Sequence, residues 1–168
     1  MKRLLLLRHA KSSWDAPELA DHDRPLAPRG RRAAKVIAPY LRRQSLAPAL
    51  VLCSSAQRTR ETLERIRPAL GEAAAVEIER ELYQASEQGL LARLRAIPDE
   101  VASVLLIGHN PALEQLAVSL AARGERLDAL QRKFPTAALA TLDFEGSWKE
   151  LGPGSAELTD FVTPKQLG

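Results

Sequence analysis

Residues 4–7 read Leu-Leu-Leu-Leu, and Arg8-His9 follow at once. A strand turns successive side chains to opposite faces. An unbroken apolar run therefore needs cover on both sides, where a half-wet sheet would show alternation. The run predicts a strand sandwiched between two layers, ending on a cation and an imidazole. Further strands are expected at Ala49 to Cys53, Val76 to Ile78 and Val104 to Ile107.

Helical spacing fills the intervals. Pro28 is placed to open a helix, along which Ala33, Val36, Ile37, Tyr40 and Leu41 recur. Arg29, Arg32, Arg42 and Arg43 are left for water, and Pro39 is expected to kink the helix. Thr62, Leu63, Ile66 and Leu70 mark a second helix, and Leu90, Leu91, Leu94 and Ile97 a third. Pro111 to Ala122 reads as a fourth. Ala137 to Phe144 and Trp148 to Leu151 are expected as late strands joined by a turn at Gly146, with an irregular tail. Alternating strand and helix through residue 122 predicts a three-layer α/β/α fold around a mostly parallel, mixed central sheet. Residues 1–168 are read as one domain, long enough to bury roughly 70% of its unfolded surface.

Composition narrows the partners. The net charge of +3 does not demand nucleic acid. Arginine outnumbers lysine, which suits bidentate recognition of phosphate or carboxylate. One cysteine, Cys53, allows no internal disulfide and fits a reducing compartment. The leucine run is too short for a signal peptide and lacks a cleavage site. No segment reaches the roughly 18 apolar residues of a membrane span. A cytoplasmic protein with no membrane partner is expected.

Three strand ends carry the chemistry. The first ends at Arg8-His9, the second at Ser54-Ser55 with Arg58 in the next helical turn, and the fourth at Gly108-His109. In open α/β sheets such ends share a crevice that takes the ligand. Asn110 as N-cap and Pro111 as first helical residue would set His109 beside free backbone N–H groups, a natural anion site. Ser55 as N-cap would make Arg58 the third helical residue. A cation there opposes the helix dipole, a cost that a bound anion would offset. Arg60 is assigned to a surface pair with Glu64.

Rival readings have weaker support. Cys53 heads "CSSAQR", but Cys-x4-Arg without a glycine is not a phosphate-wrapping loop, so Cys53 is read as packing. His9, His22 and His109 with Asp21 or Asp23 lack metal-ligand spacing, and "DHD" reads as a solvated loop. "RGRR" and "YLRR" would support a non-catalytic phosphopeptide- or nucleic-acid-binding module, yet they fit the wet face of a helix.

Taken in order, "LLLLRHAKS", "CSSAQRTRET" and "LLIGHNP" resemble the histidine phosphatase (phosphoglycerate mutase-like) superfamily, from residue 3 to about residue 145. The short "RHAKSSW…DHDRPLAPRG" form is similar to SixA-type phosphohistidine phosphatases. Only 50 residues separate Arg58 from His109, which leaves no room for the long insertions of the mutases. The resemblance implies that His9 is the nucleophile and that Arg8, Arg58 and His109 surround the phosphoryl oxygens. Lys11 and Ser12 are further candidates for substrate binding. It implies no metal and no cofactor. Arg8 and Arg58 should keep His9 neutral, and its other ring N–H should go to a backbone carbonyl. Two positions depart from the family pattern. Ala10 stands where a glycine is usual. The region that often carries a glutamic acid reads "ERELYQASEQG"; the spacing points to Gln84, flanked by Glu81 and Glu87, with Glu81 the possible acid and Asp15 a second. An alkoxide leaving group needs a positioned acid, and imidazole is a better one. Protein phosphohistidine is therefore the expected substrate, with a small phosphate ester as the alternative.

Overall fold

The computed structural model describes residues 1–168. Its strands are β1 (Lys2–Arg8), β2 (Leu50–Ser54), β3 (Ala75–Glu79), β4 (Ser103–Gly108), β5 (Ala121–Arg123), β6 (Leu139–Phe144) and β7 (Ala156–Val162). Its helices are α1 (Pro28–Arg43), α2 (Gln57–Ile66), α3 (Glu87–Arg95), α4 (Ala112–Leu120), α5 (Leu127–Arg132) and α6 (Pro164–Leu167). All seven strands join one sheet in the order β3-β2-β4-β1-β6-β7-β5. Neighbours are parallel except at β6, which runs against both β1 and β7. No helix is long and apolar enough to cross a membrane.

The leucine run explains the layering. Leu4 and Leu6 enter an apolar cluster with Leu94 of α3 and Leu113 and Leu116 of α4. Leu5 and Leu7 enter a second, with Ile37 and Leu41 of α1 and Leu63 and Ile66 of α2. All four leucines are fully buried, each worth about 1.5–3 kcal/mol relative to exposure. β1 is accordingly the middle strand of the sheet. The three-layer α/β/α architecture with a mixed, mostly parallel sheet follows.

The carboxyl-terminal third differs from the sequence expectation. Trp148–Glu150 is a short helical turn, not a strand. Its indole is fully buried and donates from Nε1 to the Val101 carbonyl at 2.7 Å. A buried indole needs such an acceptor, and the turn aims it there. The partner of β6 is β7, in the segment expected to be irregular. A register shift between Thr141 and Leu142 disturbs the pairing there, and such irregularities blur the two-residue period along a strand. α4 stops at Leu120 because Ala121 and Arg123 pair with β7. α1 continues past the exposed Pro39 to Arg43.

α1 is pressed against the chain leaving β1. Ala27 N donates to the Lys11 carbonyl at 2.9 Å. A Cβ on Gly30 would lie 2.1 Å from that same oxygen, so only glycine lets the two backbones meet. Ala normally gains about 1 kcal/mol over Gly inside a helix. Gly30→Ala should instead lower stability in urea unfolding by about 1–3 kcal/mol, as overpacking does. Gly89→Ala in α3, whose new methyl would meet neighbours at 3.5 Å, should be neutral or gain up to about 1 kcal/mol. Equal effects at the two positions would contradict the contact.

Candidate active site

Parallel pairing puts the carboxyl ends of β1, β2 and β4 on one sheet edge. Arg8 is opposite Gly108, and Cys53 is opposite Ile107. Arg8, His9, Arg58 and His109 are brought together there, as the sequence predicts. The rings of His9 and His109 have centroids 5.3 Å apart. His9 is 7% exposed, and its Nδ1 lies 2.7 Å from the Ala10 carbonyl oxygen. A carbonyl only accepts, so the ring proton belongs on Nδ1 and Nε2 keeps a free lone pair. Burial is the largest influence holding the His9 imidazole down to about 3, with His109, Arg58 and Arg8 adding to it. The arginines were expected to be the cause; removal from water outweighs them.

His109 Nε2 lies 2.6 Å from Ser54 Oγ, which accepts from Ala56 N at 3.3 Å. The serine proton is thus available to Nε2, leaving the ring proton on Nδ1, buried without a partner. Burial, then Arg58, pulls His109 down to about 4. Arg8 donates from Nη1 to the Phe134 carbonyl at 3.1 Å, and its Nε is buried without a partner. Two donors, one on a neutral ring and one on a cation, are therefore unspent beside His9.

The residue that sequence reading missed is Asp21. Arg58, only 8% exposed, donates from Nη1 to the Asp21 carbonyl at 2.8 Å and from Nη2 to Asp21 Oδ2 at 3.0 Å. Arg24 Nη1 reaches Oδ1 at 2.9 Å, and the Tyr83 hydroxyl donates to Oδ2 at 2.6 Å. The Tyr83 hydroxyl, followed by the two guanidiniums, holds the Asp21 carboxyl well below the usual carboxylate range. The Tyr83 ring stands edge-on to His109, at 5.6 Å, and to His22, at 4.7 Å. His22 Nε2 lies 2.8 Å from Ser55 Oγ. Asp21 and His22 of "DHD" thus border the site, while Asp23 is exposed to solvent as a polar loop would have it. Their only advance signal was two acids in a polar segment following a strand that ends in Arg-His.

Other expectations need correction. Ala56, not Ser55, precedes α2, so Arg58 is its second residue. The Thr59 hydroxyl lies 2.8 Å from both the Ser54 and the Ala56 carbonyl oxygens and shares its single proton between them. Pro111, not Asn110, precedes α4. Arg60 and Glu64 are exposed and form no ion pair. Ser12 Oγ accepts from Arg24 Nη2 at 2.6 Å, while Lys11 lines a groove on the β6–β7 side. Glu81 is exposed in the turn after β3. A cleft of about 340 Å³ beside His109 is walled by Tyr83, Gln84, Asn110 and Gln115 among others, and none of its lining residues is acidic. Cys53 is fully buried, and burial pushes its thiol up to about 12, which leaves no thiolate for nucleophilic attack. No three His, Cys, Asp or Glu side chains converge as a metal-holding group.

Known proteins resemble the chain in sequence and in fold. Residues 4–87 match the model of the histidine phosphatase superfamily (branch 1). The chain is 41% identical over 165 residues to an uncharacterised protein of Mycobacterium leprae, covering 95% of this chain and 100% of that one. It is 33% identical over 149 residues to phosphohistidine phosphatase SixA of Escherichia coli, covering 86% and 88%. A structure of the protein histidine phosphatase SixA complexed with tungstate superposes with a TM-score of 0.80 at 26% identity, over 99% of both chains. By the family match and by these relatives along most of its length, the chain belongs to the histidine phosphatase superfamily.

Proposed function

We propose that the protein is a phosphatase that takes a phosphoryl group onto His9 Nε2 and releases it to water. The observation that carries this reading is the state of His9. It is buried and neutral, its Nδ1 proton is committed to the Ala10 carbonyl, and Nε2 is bare among Arg8, Arg58 and His109. In the first step Nε2 attacks phosphorus as the bond to the leaving group breaks. In the second, water attacks the phosphorus, His9 leaves as a neutral ring, and inorganic phosphate departs. Charge on a phosphoryl group in transfer spreads over three equatorial oxygens, so positioned cations and N–H donors do most of the work. Arg8 Nε and His109 Nδ1 are donors of that kind. Asp21 acts through Arg58, fixing its orientation.

Within this reading, protein phosphohistidine is the preferred substrate. The support is the cleft beside His109, which has no carboxylic acid on its walls. An alkoxide would depart there without a carboxylic acid to protonate it. An imidazole already protonated on its far nitrogen departs neutral and needs none. Neither metal nor cofactor takes part, and the setting is cytoplasmic, consistent with the lone buried thiol of Cys53.

Rapid quench with labelled substrate should trap phosphate on the wild-type protein, in an acid-labile, alkali-stable adduct absent from His9→Ala. Arg58→Ala should lower the catalytic rate by about 100-fold or more, as loss of one transition-state donor does, and a chelator should change nothing. Trapping that survives in His9→Ala would sink the mechanism. For substrate class, kcat/KM should be higher on a phosphohistidine protein than on 3-phosphoglycerate, and Glu81→Gln should leave both unchanged. A preference for alkyl phosphates that depends on Glu81 would overturn the substrate but not the nucleophile.

The acid side has its own signature. The folded protein protonates His9 and His109 only toward about 3 and about 4, while an unfolded chain protonates histidine near 6.5. Below about pH 6.5 the unfolded chain holds more protons, so stability should fall as pH falls. The slope is at most about 1.4 kcal/mol per pH unit for each ring. Imidazole nitrogen NMR should show both rings neutral from about pH 8 to about pH 5; a transition near 6.5 in either would contradict the burial argument.

A further inference from the structure

The same sheet edge carries a second feature, two strands away from His9. β7 runs parallel to β1, and the register Leu7–Leu139–Val162 sets its carboxyl end level with Arg8. Beyond it lies an open groove of about 570 Å³ between α5, α6 and the start of α1. Its lining holds six cations, Lys11, Arg29, Arg126, Arg132, Lys133 and Lys165, and no carboxylate. None of the six forms an ion pair within the protein. The whole chain carries only +3, so outside this groove acids outnumber Lys and Arg, and the net positive charge of the molecule comes from here. The floor is apolar, with Phe161, Pro135 and Pro164.

The groove and the phosphoryl pocket share a wall. The segment 133–137 contributes Lys133, Pro135 and Thr136 to the groove. On its other side the Phe134 carbonyl accepts from Arg8 Nη1 and from Asn110 Nδ2, and Ala137 N donates to the Arg8 and His9 carbonyls. Strands are spaced about 4.8 Å apart, so the groove begins about 10 Å from His9. An extended segment covers that span in about three residues.

We propose that this groove docks an acidic segment of the phosphoprotein whose phosphohistidine enters the pocket. This rests on the substrate class proposed above and adds how that protein is recognised. Six unpaired cations over an apolar floor complement a segment that carries carboxylates on one side and small apolar residues on the other. A nucleic acid fits less well. Its backbone diesters offer His9 no terminal phosphoryl group, and the one aromatic in the lining, Phe161, is buried and gives bases no stacking platform. Charges around an interface of this kind act on encounter and specificity, and salt weakens them.

The test separates docking from turnover. Two phosphohistidine peptides differ only in a run of glutamates, or the same run of glutamines, starting about three residues from the phosphohistidine. Their unphosphorylated, fluorescein-labelled forms measure binding by anisotropy, beside a single-stranded oligonucleotide of equal charge. Wild-type protein should bind the glutamate peptide about tenfold or more tighter than the glutamine one, with the difference erased by high salt. The double variant Arg132→Glu/Lys165→Glu should lose that difference while keeping kcat/KM on an aryl phosphate within about twofold of wild type. The glutamate peptide should also be the better phosphohistidine substrate for wild type only. Equal binding of the two peptides, or a preference that survives in the double variant, overturns the docking site. Tighter binding of the oligonucleotide, lost in the same variant, replaces it with a nucleic-acid site. Acidic-peptide binding without phosphohistidine turnover keeps the docking site and rejects the proposed substrate.

Discussion

Buried positive charge is the constraint on which the rest of the site depends. Arg24 and Arg58 are each more than nine-tenths buried, and an isolated cation in such a place costs several kcal/mol. One carboxylate, Asp21, meets both. With that anion spent, the two imidazoles that complete the pocket must stay uncharged, and burial ensures it. Cationic walls, a half-exposed carboxylate that braces two of the arginines, and neutral rings make a cavity suited to a phosphoryl dianion. A neutral His9 keeps a lone pair on Nε2 without having to lose a proton first.

The direction of β6 decides who builds the far wall. Because β6 runs against β1, its beginning rather than its end lies at the site edge. The incoming loop therefore brings main-chain groups, the Phe134 carbonyl and the Ala137 amide, to Arg8 and His9. An all-parallel sheet would have placed a strand's carboxyl end there. Glu114 of α4 anchors the same loop by accepting from Phe134 N at 2.7 Å, so three elements fix the arginine that precedes His9.

Legibility in the sequence followed the range of the forces involved. The leucine run specified two covering layers because a strand's alternation is local and rigid. Arg8, His9 and His109 were legible because each sits at the end of an apolar strand, where fold rules alone place ligands. Asp21 and Tyr83 were not. They lie 37 and 25 residues from Arg58 in the chain, and their roles arise only when the loop after β1 folds over α2. Trp148 misled for a related reason: an aromatic beside leucine looks like a strand until its N–H needs the Val101 carbonyl. The shift at Thr141 hid β7 by breaking the very period used to find strands.

The bracing of Arg58 has a consequence for binding entropy. A free arginine side chain carries about 2 kcal/mol of rotamer freedom, and a ligand that immobilises it must overcome that loss, commonly about 0.5–1.5 kcal/mol per side chain. Here two of the guanidinium nitrogens are already tethered to Asp21, and Arg24 is held by Asp21, Ser12 and the Ser13 carbonyl. Their disorder is lost when the chain folds, so an arriving oxyanion meets a surface that has already stopped moving.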